Sequence, residues 1–230
     1  SLVDAVIGVE IDSGIIRYHE TEKSLPHNVK LLHEDILKID FSKLAARAGT
    51  PFKIIANLPY SISNPFIFKL IENRNYISRV IVMLQKEVSD RLTAVPGTKA
   101  YGIPTILLGS FARVKKHMIV KPAEFHPRPK IDSEVIEIIF TQREFDFSTQ
   151  HYQRIVRASF TNRRKTILNN LNKPSLFPFI PADQRESIKP SVLKILDDCA
   201  IDPQIRAERL TIDRFESLTK AYEALIVQFE

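Results

Sequence analysis

Over the first 140 residues, short apolar runs alternate with segments in which apolar residues recur at helical spacing. The apolar runs have the length of strands, and the segments between them are typical of helices that pack on a sheet. This order predicts an α/β fold with a mostly parallel sheet that is covered by helices on both faces. The predicted strands are residues 5–12, 29–36, 52–57, 79–85, 114–120 and 133–140.

Some of these runs also predict a place in the sheet. Residues 52–57 and 79–85 are apolar almost throughout, so we expect both strands to be buried. Charged residues interrupt residues 114–120, which indicates a strand near a sheet edge. Helices are predicted at residues 13–24, 86–92 and 103–111, and another begins with Asn64 as N-cap and Pro65 at its first position.

The alternation of strands and helices stops at about Thr141, and only helical patterns follow. We therefore expect two domains, an α/β domain over residues 1–143 and a small all-helical domain over residues 144–230. Prolines separate the predicted helices of the second domain, which are residues 152–160, 164–171, 181–188, 190–199 and 211–229.

The predicted strand at residues 52–57 leads directly into Asn57-Leu58-Pro59-Tyr60. In open α/β sheets, ligands bind outside the carboxyl ends of the strands. The turn offers an amide, main-chain carbonyls and an aromatic ring, a set that suits a flat base with an exocyclic amine. The alternative is an ordinary strand-to-helix turn without a ligand.

The same four residues fit methylation of an amino group. The exocyclic N6 of adenine is a poor nucleophile, and two carbonyl oxygens that accept its hydrogens favour a tetrahedral geometry. Asn57 and the main chain near Leu58 would supply those oxygens, Pro59 removes a competing donor, and Tyr60 would stack on the base. Phe125 is a candidate to stack on the opposite face of the base. The alternative is that Phe125 is an ordinary aromatic residue of the core.

Two other predicted strands end close to an acidic residue. Glu10 lies at the end of the first strand, and a carboxylate at that place in a dinucleotide-type fold binds ribose hydroxyls. Asp35 ends the second strand, where it would accept a hydrogen bond from an adenine amine. Acidic residues also end strands or cap helices without any ligand, and that alternative stays open.

The charge of the chain is concentrated in two segments. The net charge is +6, but residues 111–130 hold six Lys/Arg and one acid, and residues 154–173 hold six Lys/Arg and no acid. Such clustering predicts a polyanion as partner, unless the two segments are separate solvated surfaces. The candidate cations in the first segment are Arg113, Lys115, Lys116, Lys121, Arg128 and Lys130.

The remaining composition excludes several classes of protein. Cys199 is the single cysteine, so neither an internal disulfide nor a cysteine-based zinc site is possible, and a reducing cytoplasm is the expected compartment. No apolar run approaches the roughly 20 residues that span a bilayer, and the first residues lack the pattern of a signal peptide. We expect a monomer that binds no metal and no membrane.

Six segments together resemble the small-subunit ribosomal RNA adenine N6-dimethyltransferases, and the resemblance extends over nearly the whole chain. Each segment alone is a modest signal, but all six in the order of the family are specific. The segments are Val9-Glu10-Ile11-Asp12, Glu34-Asp35-Ile36, Asn57-Leu58-Pro59-Tyr60-Ser61-Ile62-Ser63, Phe125 to Ser133, Phe160 to Thr166, and Arg206-Ala207-Glu208-Arg209-Leu210.

The resemblance implies a Rossmann-like methyltransferase domain, S-adenosylmethionine as donor, and two adjacent adenosines near the 3′ end of small-subunit RNA as target. It also implies a role in ribosome assembly, on the immature small subunit. Glu10, Ile11, Asp35 and Ile36 would bind the donor together with Asn57. The target base would lie between Tyr60 and Phe125, and the RNA backbone would meet Arg163, Arg164 and Lys165.

The chain departs from the family at one point. The glycine-rich loop that holds the methionine end of the donor is not found, and no Gly-x-Gly occurs among the six glycines. Because the acidic end of the family's second strand already lies at residue 10, we expect the first strand and its loop upstream of Ser1. This chain would then be an N-terminally shortened form that binds the donor weakly and has little or no activity.

Three further interpretations stay open at this point. A non-catalytic factor of ribosome assembly would use the same basic segments without methyl transfer. A large-subunit RNA methyltransferase shares the fold, although residues 206–210 and the helical tail argue against it. A DNA adenine methyltransferase is disfavoured, since those sites usually have Asp or Asn, two prolines and then an aromatic residue.

Overall fold

The computed structural model describes residues 3–23, 25–48, 51–141, 143–180 and 188–228. Each strand in this part of the chain coincides with a predicted one, and the bounds differ by three residues or fewer at either end. The strands are β1 (Val6–Glu10), β2 (Val29–His33), β3 (Phe52–Asn57), β4 (Ile77–Gln85), β5 (Ala112–Val120) and β6 (Ser133–Phe140).

The helices predicted before residue 140 are present, and a helix at residues 41–48 is an addition that the sequence analysis did not predict. The helices after residue 140 begin and end near the predicted positions, except that the predicted helix 181–188 lies almost wholly outside the described residues. The helices are α1 (Ser13–Glu22), α2 (Phe41–Ala48), α3 (Ser63–Glu72), α4 (Lys86–Leu92), α5 (Ile103–Phe111), α6 (Thr149–Ser159), α7 (Ile167–Leu171), α8 (Ile188–Asp198) and α9 (Ile212–Val227).

The described strands form two sheets. β1 and β2 make a parallel pair, and the other four strands lie in the order β3-β4-β6-β5. β3 is parallel to β4, whereas β6 is antiparallel to both of its neighbours. The α/β class is confirmed, but the antiparallel pairs were not predicted. The β5–β6 pair arises because residues 121–132 connect these strands directly, without the crossover that a parallel pair requires.

β3 is not the buried strand that its apolar sequence predicted. Its residues alternate between half-buried and exposed, and Ile55 is 86% exposed. β3 is an edge strand of the larger sheet, and only its Ile54 and Ala56 face packs on the core. β4 buries Val80, Val82 and Leu84 on one face, while Arg79 on its other face is exposed and the residues that follow on that face are half-buried. β5 lies at the opposite edge of the sheet, as its interrupted pattern predicted.

The start of α3 also differs from the prediction. Asn64 is not the N-cap, because a 3₁₀ turn at Tyr60–Ile62 runs directly into the helix, which begins at Ser63. Asn64 and Pro65 therefore lie in the first helical turn. The missing N–H of Pro65 is tolerated there, because the first turn has no intrahelical acceptor for it.

A single cluster of buried apolar side chains connects the larger sheet with the helices after residue 140. It contains Leu84 of β4, Leu107 of α5, Ile155 of α6 and Phe215 of α9. α5 lies between the two parts, since it contacts α3 and α4 as well as α6 and α9. The helical segment is thus packed against the sheet domain through α5.

Polar contacts reinforce this packing. The hydroxyl of buried Tyr101 donates to the carbonyl oxygen of Leu210 at 2.8 Å, and burial, with a contribution from Asp213, raises the pKa of Tyr101 to about 12. Arg143 donates to both carboxylate oxygens of Glu216 in α9, at 2.8 and 2.7 Å. These bonds connect the loop before α5 to the segment that precedes α9, and the predicted domain boundary to α9 itself.

Candidate functional site

The carboxyl ends of β3 and β4 meet the loop between β5 and β6 at one edge of the larger sheet. Asn57, the last residue of β3, is in register with Met83 of β4. Gln85 at the end of β4 pairs with Ser133, and Ser133 also pairs with Val120 at the end of β5. The topology therefore places residues 57–60 and the loop 121–132 at the same edge, as ligand sites in open α/β sheets require.

Residues 57–60, the acceptor turn, present polar groups to solvent. The side-chain amide of Asn57 is exposed and forms no hydrogen bond with any residue that the structure describes. Leu58 is half-buried against the core. Pro59 is extended at φ −53° and ψ 136°, and its carbonyl accepts from the Ile62 amide at 3.1 Å. The turn is thus fixed at both ends while the Asn57 amide stays available for a ligand.

Tyr60 is held by a partner that the sequence did not reveal. Its hydroxyl lies 2.8 Å from Oγ of Ser133, the first residue of β6, which is fully buried. The half-buried Tyr60 ring is therefore fixed at its far end. Ser133 lies 73 residues further along the chain, and the available signal was its position as the last residue of the segment that begins at Phe125.

Phe125 lies in the loop at this edge, directly after a 3₁₀ turn at Pro122–Glu124. Its amide donates to the carbonyl of Pro122 at 3.3 Å, and its side chain is half-buried. It does not belong to the cluster of core residues, and it makes no ring contact with another aromatic residue in the described chain. This position leaves Phe125 available to stack on a ligand.

The two predicted donor-binding carboxylates lie at neighbouring strand ends of the smaller sheet. The carbonyl of Glu10 accepts from the Glu34 amide at 3.0 Å, which brings the segments after β1 and β2 together. Oε1 of Glu10 accepts from the amides of Ile11 and Asp12 at 2.7 and 2.8 Å. Oδ1 of Asp35 accepts from an amide two residues further on, at 2.9 Å. In each carboxylate one oxygen accepts from the main chain, and the other has no partner among the described residues.

Apolar surface accompanies both carboxylates. Ile11 is 66% exposed beside Glu10, and Ile36 is half-buried beside Asp35. The chemistry of the set fits the nucleoside end of a donor, in which hydroxyls and an amine surround a flat apolar ring.

The smaller sheet is connected to the acceptor side through Lys69 of α3. Its ammonium group donates to the carbonyls of Leu37 and Ile39 at 3.0 and 2.6 Å, and it lies 4.8 Å from the centre of the Phe41 ring. The Phe41 ring also contacts Phe52 of β3 edge-to-face at 5.6 Å. The segment after β2 is therefore attached to the helix that follows the acceptor turn.

The predicted RNA-binding cations of β5 have different surroundings. Arg113 and Lys115 are exposed and form no ion pair with a described residue. Lys116 lies 2.6 Å from Asp90 and 3.3 Å from Glu134. Burial opposes its charge, but the hydrogen bonds to Asp90 and Glu134 outweigh that effect and raise the pKa of Lys116. Lys116 thus neutralises two acidic groups at the sheet.

The other predicted RNA-binding cations also divide into free and bound groups. Arg128 and Lys130 are exposed in the loop that carries Phe125, and Arg164 and Lys165 are exposed after α6. Arg163 donates to three acceptors, which are the carbonyls of Lys99 and Tyr101, both at 2.9 Å, and the carboxylate of Glu208 at 3.1 Å. The side chain of Arg163 therefore braces two loops.

No group of three potential metal ligands occurs within the part of the chain that the structure describes. Among the same residues, no helix has the length and apolar character that crossing a membrane requires. Cys199 is buried at the end of α8, and burial raises the pKa of its thiol, which makes the group a poor nucleophile at neutral pH.

A Rossmann-like α/β layer with acidic strand ends beside an Asn-Leu-Pro-Tyr turn fits the class of Rossmann-like methyltransferases. The sequence profile of one family in this class, described as "Ribosomal RNA adenine dimethylase", matches residues 1–195. The chain belongs to this family, as the six sequence segments predicted.

Proteins with similar sequences are named as ribosomal RNA methyltransferases. The "Ribosomal RNA small subunit methyltransferase A" of Desulfotalea psychrophila is 51% identical over 220 residues, which are 95% of this chain and 74% of that protein. The protein of the same name from Syntrophus aciditrophicus is 38% identical over 93% of this chain and 74% of its own length. The fold and enzyme class inferred from the sequence are therefore confirmed.

Two solved structures resemble this fold. A dimethyladenosine transferase from Plasmodium falciparum superposes with a TM-score of 0.78 at 25% identity, over 96% of this chain and 82% of that one. The 23S rRNA methyltransferase ErmE superposes with a TM-score of 0.61 at 18% identity, over 95% and 82% of the two chains. The second likeness concerns the fold alone.

Proposed function

We propose that this protein transfers methyl groups from S-adenosylmethionine to N6 of two adjacent adenosines near the 3′ end of small-subunit rRNA. The observation that carries the proposal is the acceptor turn, in which the free Asn57 amide lies beside a Tyr60 ring anchored to Ser133. Membership of the dimethylase family and the names of the relatives support the choice of RNA as substrate.

Adenine binding at the acceptor turn follows from the groups that are present. The Asn57 side-chain oxygen and the Leu58 carbonyl accept the two hydrogens of N6, which directs its lone pair towards the donor. Tyr60 stacks on one face of the base and Phe125 on the other. Because the ring needs both faces free, the adenosine must leave its stack in the RNA before it binds.

The donor side uses the carboxylates of the smaller sheet. S-adenosylmethionine supplies an electrophilic methyl group when it is bound. Glu10 would accept hydrogen bonds from its ribose hydroxyls, and Asp35 one from its adenine amine. Ile11 and Ile36 would cover the faces of that adenine. The proposed reaction needs no metal, since positioning of the reactants and electrostatic stabilisation supply most of the lowering of the activation barrier.

The 230-residue chain by itself should bind the donor weakly. Its sequence contains no Gly-x-Gly to hold the methionine end, and β1 pairs with no strand of the larger sheet in the described chain. The smaller sheet is thus joined to the acceptor side through α3 rather than through strand pairing. Titration calorimetry should detect little or no heat with S-adenosylmethionine, and micromolar binding would contradict this expectation.

We propose that the physiological partner is the immature small ribosomal subunit in the cytoplasm, and that the protein acts there as a monomer during ribosome assembly. The exposed cations near the acceptor turn, Arg128 and Lys130, would hold phosphates that flank the target adenosines. Arg113 and Lys115 on the edge strand would extend this contact. Arg164 and Lys165 after α6 supply a second basic surface.

One assay separates the proposed enzyme from a non-catalytic assembly factor. The chain is incubated with unmethylated small subunits and labelled donor at high concentration, and both co-sedimentation and label transfer are measured. Transfer to adenosine supports the enzyme, while co-sedimentation without transfer supports the assembly factor. Transfer to large-subunit RNA instead would contradict the proposed substrate.

A further inference from the structure

An open cavity of about 310 Å³ lies between the C-terminal half of α6 and a 3₁₀ turn at Pro174–Leu176. Its polar lining has no carboxylate in the part of the chain that the structure describes. The lining consists of three cationic side chains and two hydroxyl groups, which belong to Arg154, Arg157, Lys173, Thr161 and Ser175.

Helical spacing explains why these groups meet. Arg154 and Arg157 are three residues apart on the exposed face of α6, and Thr161 follows one turn later. The opposite face of α6 buries Tyr152, Ile155 and Val156, which fixes the orientation of the helix. The chain then returns after α7, and Lys173 and Ser175 close the other wall of the cavity.

Neutral groups position the two arginines. The hydroxyl of buried Tyr222 donates to the carbonyl of Leu176 at 2.6 Å, and the Arg154 side chain lies beside that hydroxyl. The guanidinium of Arg157 lies over the ring of Phe68, 4.9 Å from its centre. Neither arginine forms an ion pair with a described residue, in contrast to Arg143, which binds Glu216.

The remaining groups complete a site for an anion. Lys173 has no ion pair among the described residues, and the exposed Ser175 hydroxyl has no described partner. The Thr161 hydroxyl already donates to the carbonyl of Ala158 at 2.9 Å, so it contributes a polar wall rather than a donor. Three cations that converge without a counterion among the described residues repel one another, and a bound anion would remove that repulsion.

We infer that this cavity binds a phosphate group of the rRNA backbone. Thr161, which lines the cavity, lies three residues before Arg164 in the sequence. The cavity therefore extends the basic surface of Arg164 and Lys165 that the proposed function assigns to RNA. Guanidinium groups suit phosphate because they donate in a planar fork. The inference rests on the proposed function, since it takes rRNA as the source of the phosphate.

The test compares two double variants with equal loss of charge. R154Q/K173Q removes two cations of the cavity and leaves Arg157 on Phe68, while K189Q/K194Q removes two exposed cations of α8 in the same helical region. Affinity for unmethylated small subunits is measured between 50 and 200 mM salt. Inorganic phosphate alone is titrated in parallel, with the thermal midpoint as readout, and circular dichroism verifies folding.

The cavity variant should bind small subunits about tenfold more weakly and should reduce the salt slope by roughly 1 to 2, because each lost phosphate contact removes most of one released counterion. The control variant should keep the affinity and the salt slope of the original chain, and both variants should fold. If R154Q/K173Q binds like the original chain, the inference is wrong, even where inorganic phosphate raises the thermal midpoint. If the original chain does not bind small subunits, the proposed function fails as well.

Discussion

Asn57 and Tyr60 lie three residues apart and have opposite surroundings. Asn57 is exposed, with its amide free of described partners, whereas the Tyr60 hydroxyl is fixed to buried Ser133 at 2.8 Å. A base-holding turn needs both properties. The group that binds the amine must stay unpaired until the substrate arrives, and the ring that sets the plane of the base must already be in place.

Asn57→Ala should separate binding from turnover. The substitution removes one of the two proposed acceptors for the N6 hydrogens, while the exposed position means that folding is unaffected. Whatever rate of methyl transfer the original chain reaches at high donor concentration should fall about 100-fold or more in the variant, by analogy with the loss of one polar group that stabilises a transition state. Co-sedimentation should stay unchanged. Equal losses of binding and transfer would show instead that Asn57 is structural.

A double-mutant cycle measures the anchor of Tyr60. Tyr60→Phe and Ser133→Ala each remove the hydrogen bond, and the coupling free energy from urea unfolding should be about 1 kcal/mol. Tyr60→Phe keeps the aromatic ring and should therefore retain substrate stacking. Ser133→Ala should lower the rate of methyl transfer by a similar factor to Tyr60→Phe. If the effects of the two substitutions on the free energy of unfolding are additive, the two side chains are not coupled.

At the scale of secondary structure elements, acidic and basic groups join α4 to the sheet. Asp90 of α4 accepts hydrogen bonds from Lys116 of β5 and Lys86 of its own helix, both at 2.6 Å. The hydrogen bond from Lys116 is the largest effect, and that from Lys86 is next; together they lower the pKa of Asp90. This pairing explains how β5, an edge strand with many cations, packs beside α4.

Asp90→Asn should change how stability depends on pH. Because the pKa of Asp90 is lower in the folded state, its charge stabilises the fold above the pKa of the unfolded carboxyl and loses that effect as the pH falls through the folded pKa. For a half-exposed pair the stabilisation at neutral pH is about 0.5 to 1 kcal/mol.

The measurement is urea unfolding at a series of pH values. The difference between the original chain and Asp90→Asn should shrink between about pH 5 and pH 2. Asp4→Asn, at an exposed carboxyl without a described partner, serves as control and should show no such trend. A difference that stays constant down to pH 2 would contradict the assigned role of the Lys116 and Lys86 bonds.

At the scale of the whole molecule, the helical segment is both a structural support and a proposed RNA surface. Arg163 binds the carbonyls of Lys99 and Tyr101 together with Glu208, so it joins the loop before α5 to the loop before α9. The Gly97 amide donates to the carbonyl of the same Glu208 at 2.7 Å. Arg163 therefore has a structural role, whereas the neighbouring Arg164 is exposed and has no such contacts among the described residues.

Charge reversal should distinguish Arg163 from Arg164. Arg164→Glu should weaken binding to small subunits and flatten its salt dependence while the thermal midpoint stays the same, since its side chain has no described partner. Arg163→Glu should also lower the free energy of unfolding by about 1 to 2 kcal/mol, because three acceptors lose their donor and Glu208 gains a like charge. Unchanged affinity in both variants would show that this motif does not contact RNA.

The sequence by itself determined the order of the strands, the α/β class and the family, although it missed the helix at residues 41–48. β3, α4, α5 and β6 have the bounds that the pattern predicted, because apolar periodicity and proline or glycine positions act locally. The Asn57 to Tyr60 turn and the acidic strand ends were likewise identified from short segments.

Only the tertiary structure decided which groups are free. The sequence placed Lys116, Arg163 and Arg164 in one class of cations, yet the folded chain pairs the first with Asp90 and the second with loop carbonyls. It also exposed one face of β3 and anchored Tyr60 on Ser133. These outcomes depend on residues distant in sequence that the fold brings into contact, and a local pattern carries no information about such partners.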